Sequence, residues 1–421
     1  MRLTDTNPLR REIEQALPSR PFTVELWDGT VIPGTENGDG PRFTVRSSQA
    51  LAHMLRAPGQ LGLGRAYVAG DLDVDDFMAV MRVVDTWEPP PIAGRTRIRL
   101  AGAAVRAMGL PRFPRAPKAE LKQTGPLHSK ERDARAIAHH YDVGNRFFEL
   151  FLDDSMTYSC AIFRDENEIG GLTPPGPPAA PGRSGLTLAE AQDVKRELVC
   201  AKLALGEGDR VLDVGCGWGS FAIHAAERHG ARVVGITISK AQAQLARRRV
   251  ADAGLSDRID IRDMDYRDLG GERFDAIASI GMVEHVGDNR IDLYARQLAS
   301  LLRPGGRLLN HGISRLRHTD PDPGSFNERY VFPDGETLQL SRVQLALERA
   351  GFRTEHVEGF PEDYAETLRH WYENLDSHMS EAERIAGPER LRVWRLYLRA
   401  ARNAFLNGTI SVYQVRASLP G

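Results

Sequence analysis

The stretch RVLDVGCGWGS (210–220) decides the fold of most of this chain. An apolar run typical of a buried strand leads directly into Gly215, Gly217 and Gly219, which stand at every second position. Glycine adopts backbone conformations that other residues avoid, and it lets a ligand approach the main chain closely. The pattern therefore predicts a strand, a tight turn and a helix around a bound ligand. A turn with only a structural role is the alternative.

The spacing of these glycines argues against a dinucleotide. It is G-x-G-x-G, not the G-x-G-x-x-G of dinucleotide-binding folds, and no acidic residue follows about 20 residues later to hold a ribose. That position falls in GITIS (235–239). S-adenosylmethionine (SAM) has no pyrophosphate to be cradled, so the departure favours this cofactor.

From residue 186 onward the sequence alternates between helical and strand patterns. Strands separated by helices of this length predict an α/β fold with a doubly wound, mostly parallel sheet. The predicted strands are RVLDVGCG (210–217), ARVVGITIS (231–239), IDIRDMD (259–265), FDAIASIG (274–281) and GRLLNHGIS (306–314).

Length and composition predict two domains in an ordinary globular protein. The 421 residues are 41% hydrophobic and 27% charged, and the net charge of −2 indicates no general affinity for nucleic acid. The sequence has no run of 18 apolar residues, and its first 15 residues lack the apolar stretch of a signal peptide. We therefore expect a cytoplasmic protein that meets a membrane only from the surface, at its inner face.

Composition divides the chain into a small N-terminal α/β domain (1–90), a basic linker (91–122) and a large domain (123–421). The linker is either a solvated connection or a partly amphipathic strip that contacts anionic phospholipid headgroups. Residues 164–185 are rich in Pro and Gly, which predicts a mobile surface loop.

The three cysteines, Cys160, Cys200 and Cys216, are widely separated. They form no C-x-x-C motif and have no histidine at zinc-finger spacing, so we expect neither a structural metal nor a disulfide framework.

Eight sequence blocks follow one another in a fixed order. They are HYDVGNRFF (140–148), MTYSCAIF (156–163), TLAEAQ (187–192), DVGCGWGS (213–220), GITISKAQ (235–242), SIGMVEHVG (279–287), NHGIS (310–314) and DYAETLRHWYEN (363–374). Together they resemble the cyclopropane-fatty-acyl-phospholipid synthase and mycolic acid cyclopropane synthase family. LGLGRAYVAGDLDV (61–74) is similar to its phospholipid-acting members, and the sequence looks closest to actinobacterial ones, some of which form methylene fatty acids.

The resemblance implies a class I SAM-dependent methyltransferase domain with a helical cap over an acyl chain, and a lipid-associated N-terminal domain. The three glycines would face the methionine part of SAM. The other positions that match cofactor-binding residues are Tyr158, Ser159, Thr237, Ile238, Gln242, Asp265 and Tyr266. For Tyr266 a surface aromatic is the alternative.

The implied reaction sets a chemical problem, because an alkene that accepts a methyl group becomes a carbocation. The site must exclude water and must hold a base in an apolar pocket. The sequence alone offers Glu284, His285, His311, Cys160 and Tyr364, of which Glu284 and His311 follow predicted strand ends. A hydrogen-bonded surface histidine is the alternative for His311.

In the family, the base is a bound bicarbonate ion. The matching positions here are Cys160, Glu284, His311, Ile313 through its backbone N–H, and Tyr364. An anion would offset the transient cation and accept its proton. Aromatic faces near the site, such as those of Phe163 and Tyr364, would favour the cation as well.

Two departures from the family pattern lie on the substrate side. Ile162 replaces an aromatic residue, and the Pro/Gly insertion follows that motif directly. Because of these departures, the product is either a cyclopropane or a methylene branch, and we favour the methylene branch. Phe147, Phe148 and Phe151 line an acyl tunnel or belong to the core.

The expected partners are unsaturated phospholipid acyl chains at the membrane surface and, for a methylene product, a reductase. A homo-oligomer is also possible for this family. Two other readings are an N- or O-methyltransferase of a small molecule and a non-catalytic lipid- or partner-binding protein. The first needs a polar pocket, and the second needs loss of the glycines or of the base pocket.

Overall fold

The computed structural model describes residues 5–35, 40–109, 114–141, 143–164, 185–316 and 324–421. They divide into two compact units. The predicted loop 164–185 lies outside the described residues except for its ends, Arg164 and Gly185.

The first unit contains helices and a four-stranded sheet of order β2-β1-β3-β4. The Gly-rich run 59–76 forms a helix followed by a strand of this sheet. The strands are β1 (Thr23–Glu25), β2 (Val31–Ile32), β3 (Arg42–Val45) and β4 (Leu72–Val74). The helices are α1 (Asn7–Ala16), α2 (Gln49–Arg56), α3 (Gln60–Val68), α4 (Phe77–Thr86) and α5 (Gly94–Met108).

The second unit is built on a seven-stranded sheet of order β10-β11-β9-β8-β5-β6-β7. The pairs β8–β9, β5–β8, β5–β6 and β6–β7 are parallel, whereas β11 is antiparallel to both of its neighbours. All five predicted strands are confirmed. The sheet also contains β10 and β11, which the sequence patterns did not predict. The strands are β5 (Arg210–Val214), β6 (Arg232–Thr237), β7 (Ile259–Asp263), β8 (Phe274–Ile280), β9 (Leu302–Arg315), β10 (Arg353–Gly359) and β11 (Ile410–Ser418).

The part of the chain that the structure describes has ten further α-helices. They are α6 (Lys130–Tyr141), α7 (Asn145–Glu149), α8 (Leu188–Lys202), α9 (Ser220–His229), α10 (Lys240–Asp252), α11 (Ile291–Leu301), α12 (Phe326–Tyr330), α13 (Leu340–Arg349), α14 (Pro361–Ser377) and α15 (Met379–Leu406). The last of these is interrupted at Gly387, where φ is 77° and a proline follows.

Helices cover both faces of the large sheet, as a doubly wound fold requires. Side chains of α8, α9 and α10 share one core cluster with Val211 and Ala276, and side chains of α11 and α13 share the other with Leu212 and Ile277. Alternation along each strand sends neighbouring residues to opposite faces. The strand order reverses between β5 and β8, which is where such sheets bind ligands at their carboxyl ends.

The predicted linker 91–122 is wrong in its central part. Residues of α5 form one face that buries Ala103, Ala104 and Ala107 in the core of the first unit, while its arginines are exposed. Small apolar residues at helical spacing explain why this Arg-rich segment packs.

The large domain is also not continuous in sequence. The short helix α12 and the segment Ala386–Ala400 of α15 group with the first unit. Glu120 illustrates the link, because its carboxylate accepts hydrogen bonds from Arg65 at 2.7 and 2.6 Å and from Tyr330 of α12 at 3.1 Å.

Within the described residues, no helix combines the length and the apolar character that crossing a bilayer requires.

Ala103→Asp tests the packing of α5, because it places a charge at a position that is 2% exposed. An unpaired buried charge destabilises a protein by about 3 kcal/mol or more, so the melting temperature of the first unit should fall by several degrees. Val105→Asp on the same helix, at a position that is 39% exposed, is the control and should change it little. Equal melting temperatures for the two variants would contradict the packing of α5.

Candidate active site

The glycine turn after β5 has the conformation that the sequence predicts. Gly215, Gly217 and Gly219 have φ values of 79°, 54° and 83°. The N–H groups of Gly215 and Cys216 both donate to the Ile236 carbonyl of β6 at 2.9 Å. A Cβ atom on Gly217 would meet no atom within 4 Å, so the turn presents bare backbone to open space.

The end of β6 carries the next predicted group. Thr237 Oγ1 donates to Gln242 Oε1 at 3.0 Å, and Ser239 caps α10 by accepting from the Gln242 N–H at 3.4 Å. Ile238 is half-buried between them. The Tyr141 hydroxyl also hydrogen-bonds to Gln242, so the structure adds a residue to this site that the sequence analysis did not assign.

Trp218 and Asn145 were missed as well. The Trp218 indole N–H donates to Asn145 Oδ1 at 2.9 Å, and the Asn145 amide donates to the Ala241 carbonyl at 3.4 Å. These contacts join the glycine turn, the start of α7 and the start of α10. Both residues lie inside sequence blocks that resemble the family, HYDVGNRFF and DVGCGWGS, and this position was the only indication of a role in the sequence.

Asp265 and Tyr266 follow β7, as predicted, but they differ in role. Asp265 accepts hydrogen bonds from the Arg267 guanidinium at 2.8 and 2.5 Å, and although burial opposes its charge, these bonds lower its pKa. Tyr266 is 7% exposed and lies edge-to-face against Tyr294. The surface alternative for Tyr266 is therefore wrong.

Tyr158 and Ser159 are held from two sides. The Tyr158 ring stacks on Trp371 with centroids 5.1 Å apart. Ser159 Oγ accepts from Lys195 Nζ at 2.8 Å, and its carbonyl accepts from Gln192 at 2.9 Å. Gln192 belongs to the block TLAEAQ, and this bond holds Tyr158–Cys160, the YSC segment, in place.

Lys195 and Asp213 are buried ionisable groups that the sequence analysis did not assign. Burial lowers the pKa of Lys195 to about 7 and raises that of Asp213 to about 7. Among the described residues, Asp213 Oδ2 has no hydrogen-bond partner. A carboxylate directly before the glycine turn, in such surroundings, is typical of a functional group.

Cys160 is not an activated nucleophile. It is fully buried, and burial raises the pKa of its thiol well above the usual value. Its sulfur lies 3.1 Å from the Ala161 carbonyl and 3.8 Å from that of Phe360. The Tyr364 N–H donates to the same Phe360 carbonyl at 3.0 Å, so the Cys160 thiol and the backbone of Tyr364 both approach one carbonyl oxygen.

Glu284 and Ile313 are in direct contact. The Ile313 N–H donates to Glu284 Oε1 at 2.7 Å, whereas Glu284 Oε2 is buried and has no hydrogen-bond partner in the described part of the chain. Burial raises the pKa of Glu284 to about 7. The Ile313 N–H, which the resemblance assigns to bicarbonate, thus donates to Glu284 instead. The neighbouring His285 instead contacts Phe332, with ring centroids 5.8 Å apart.

The tautomer of His311 follows from its neighbours. Lys202 Nζ donates to Gln414 Oε1 at 2.7 Å, so the Gln414 amide nitrogen donates to His311 Nδ1 at 3.2 Å. Burial, with Lys195 and Lys202 nearby, lowers the pKa of His311 to about 3. The imidazole is therefore neutral and carries its proton on Nε2.

The His311 Nε2–H is a buried donor without a partner among the described residues. His311 is 2% exposed, so the surface alternative for this histidine is wrong. Strand β11 connects the surroundings of His311 with those of Cys160. It carries Gln414, which contacts His311, and its Val412 carbonyl accepts from the Phe360 N–H at 2.9 Å.

On the substrate side, Ile162 is fully buried, and its N–H donates to the Ala191 carbonyl at 3.0 Å. Phe147, Phe148 and Phe151 are also fully buried and contact one another. This arrangement favours the core alternative for the three phenylalanines. Although the run RFFELFLDDSM (146–156) is strongly apolar in its first half and favours a longer helix, α7 ends at Glu149.

Comparisons with known proteins identify the family. The family model for mycolic acid cyclopropane synthetase matches residues 128–415. A probable fatty acid methyltransferase of Pseudomonas putida is 37% identical over 95% of this chain and 92% of its own length. The cyclopropane-fatty-acyl-phospholipid synthase of Escherichia coli K12 is 32% identical over 90% of this chain and 88% of its own.

Among solved structures, the mycolic acid cyclopropane synthase CmaA1 complexed with SAH and CTAB is similar, with a TM-score of 0.60 and 30% identity. It covers 68% of this chain, and 98% of its own chain is matched. The large sheet is therefore that of a class I SAM-dependent methyltransferase, and the placement of SAM at the glycine turn stays a prediction.

Gly217→Ala should abolish SAM binding, because the added methyl group would fill the open space in front of the turn. The φ of 54° makes an alanine there cost about 1–2 kcal/mol in stability. Gly254→Ala is a matched control, since Gly254 has a φ of 70° and equally open surroundings but lies after α10. Calorimetric titration with S-adenosylhomocysteine should show lost binding in the first variant and normal binding in the second.

The buried Glu284 makes stability depend on pH. Folding raises its pKa from the ordinary 4.5 to about 7. Between these values the folded chain binds more protons than the unfolded chain, so this group lowers the free energy of unfolding as pH rises through that window.

Glu284→Gln removes the titration. The melting temperature of the variant relative to the parent protein should therefore increase from about pH 5 to about pH 8. Glu383→Gln, the same change at an exposed position, is the control. A relative melting temperature for Glu284→Gln that stays level or falls over this range would contradict the burial of its charge.

Proposed function

Because the chain belongs to the mycolic acid cyclopropane synthetase family, we propose that it adds a methyl carbon from SAM to the cis double bond of an unsaturated acyl chain of a phospholipid. The chain is a SAM-dependent methyltransferase, and the proposal concerns its substrate, its base and its product. One observation carries it: among the described residues, a buried acceptor, Glu284 Oε2 in the turn after β8, and a buried donor, His311 Nε2–H on the adjacent strand β9, both lack hydrogen-bond partners.

This pair fits a small anion that also carries a proton, which is what bicarbonate offers. The His311 N–H would donate to one of its oxygens, and Glu284 would accept its hydroxyl proton. When bound there, bicarbonate would supply a base for the proton that leaves the new methyl group. Glu284 could not face an aprotic anion without repulsion, so the donor set favours a protonated one.

The residues of this chain contribute in three ways. Burial of the site keeps water from the cationic carbon, since Cys160 and His311 are no more than 2% exposed. The carboxyl group of Glu284 offsets positive charge when it is ionised. Gln414 and Lys202 hold His311 in the tautomer that presents its N–H to the site.

Aromatic faces supply the rest of the surroundings. Tyr364 lies 4.6 Å from Phe405 and 6.1 Å from Trp371 between ring centroids, and Phe163 stacks on His370 at 5.3 Å. A cation is attracted to such faces. The protonated thiol of Cys160 adds a small, uncharged wall.

We propose a methylene-branched product over a cyclopropane. Methyl transfer leaves the cation on the neighbouring carbon. A hydride shift moves the cation onto the methyl-bearing carbon, and loss of a proton from that methyl group gives the exocyclic methylene. Ile162 supports this choice, since it leaves an aliphatic wall where relatives of this family carry an aromatic residue. A reductase would then be needed to turn the methylene into a methyl branch.

We also propose that the protein works at the inner membrane surface, where its lipid substrate lies. The exposed arginines of α5 support this, because each basic residue near an anionic surface contributes about 1 kcal/mol of attraction.

Expression in a bacterium rich in oleoyl phospholipids tests the activity. Gas chromatography–mass spectrometry of the fatty acids should show a new species that is one CH₂ heavier than oleate. Derivatisation of the double bond distinguishes a methylene branch from a cyclopropane ring. Absence of any heavier species would overturn the proposed substrate.

Glu284→Gln tests the base in the same assay. The amide keeps the shape of the side chain and its bond from Ile313, but it cannot carry the charge, so turnover should fall by about 10²–10⁴-fold. Binding of S-adenosylhomocysteine should remain, and Glu383→Gln should be fully active. Near-normal product from Glu284→Gln would mean that the base is held elsewhere.

A further inference from the structure

We propose that a zinc ion binds between α8 and α9, with Cys200, His224 and His229 as its ligands. Cys200 lies near the end of α8, and the two histidines lie on α9. One ligand atom from each of the three side chains lies within 4.8 Å of the other two. None of these residues takes part in the SAM site or in the base pocket.

A fourth ligand is at hand. Glu197 stands one helical turn before Cys200, and its Oε2 lies 3.0 Å from His224 Nε2 and 3.1 Å from His229 Nε2. Both imidazoles thus turn the same nitrogen toward one carboxylate oxygen. The side chain of Glu197 is 44% exposed, which leaves it free to adjust around an ion.

A second carboxylate orients one of the histidines. Asp193 Oδ1 lies 3.3 Å from His224 Nδ1, on the side of the ring away from Glu197. Metal-binding histidines usually donate their other ring N–H to such a carboxylate, which fixes the tautomer that points toward the metal. Asp193, His224 and Glu197 therefore form the sequence of contacts that a zinc site requires.

The donor types select the metal. One thiolate, two imidazoles and one carboxylate make a tetrahedral set of nitrogen, sulfur and oxygen atoms, which suits zinc among the common divalent ions. Binding would take the thiol proton of Cys200, which goes to solvent as the zinc–sulfur bond forms. No oxidant or reductant is involved.

The position of the site indicates a structural role. Helix α8 also carries Gln192 and Lys195, which hold the YSC segment, and α9 begins directly after Gly219 of the glycine turn. An ion between the two helices would fasten together the elements that support the SAM site. The cysteine spacing predicts no structural metal, because the ligands of this site come from two helices and have no zinc-finger spacing.

Zinc binding to the full-length, untagged protein tests the proposal without reference to activity. After removal of metals with a chelator, titration with Zn²⁺ against a chromophoric competitor should show one tight equivalent per chain. Replacement of zinc by Co²⁺ should give the absorption of a tetrahedral site with a sulfur-to-cobalt charge-transfer band. Lack of a tight equivalent would overturn the proposal.

Variants identify the ligands. Cys200→Ser should lose the sulfur band, and His229→Gln, at a side chain that is 20% exposed, should lose the tight equivalent. Asp193→Asn should keep the stoichiometry and weaken affinity by about 10–100-fold. His378→Gln, an exposed histidine outside the cluster, controls for surface binding and should match the parent protein.

Two outcomes of this set would contradict the site. One is full zinc affinity in His229→Gln, which would place the ion elsewhere. The other is an unchanged affinity in Asp193→Asn together with no sulfur band in the parent protein, which would reduce the cluster to a hydrogen-bonded group of Glu197 and two histidines.

Discussion

The pairing of β11 with β9 is the constraint on which the proposed site depends. In this antiparallel ladder Gln414 stands opposite His311, and Val412 stands opposite Ile313. A shift by one residue would turn every side chain of the strand to the other face of the sheet. His311 would then lose Gln414, and its N–H would no longer be directed by a neighbour. The register of β11 thus determines which nitrogen of His311 carries the proton.

Behind that histidine lies a series of buried charged groups. Lys202 Nζ donates to Glu358 at 2.6 Å, and Glu358 accepts from Arg164 at 2.8 Å. Arg164 and Lys202 both stand over the Phe360 ring. Buried charges of this kind add little stability compared with apolar packing, because desolvation offsets their attraction. Their position next to the base pocket indicates that they define geometry, since each partner limits the orientation of the next.

The sequence was most informative where local pattern and fold agree. The strands β5 to β9 carry alternating or continuous apolar residues between amphipathic helices, so their order and the glycine turn could be predicted. β10 and β11 could not, because RTEHVEG is largely polar and because antiparallel insertion is set by tertiary pairing. The alanine face of α5 was hidden by its arginines. The residue types of the site were predictable from the family blocks, but the bond between Ile313 and Glu284 needed the structure, since it joins a turn to a neighbouring strand.

The position of β11 in the sheet also bears on how the chain is made. Synthesis proceeds from the N-terminus, and domains usually fold as they emerge from the ribosome. Here the first unit includes Ala386–Ala400, and the large sheet has its last strand in chain order between β9 and β10. Neither unit is complete until Ala386–Ala400 and β11 have been made. The edges of β9 and β10 that pair with β11 therefore stay open until that strand emerges, and open strand edges favour aggregation.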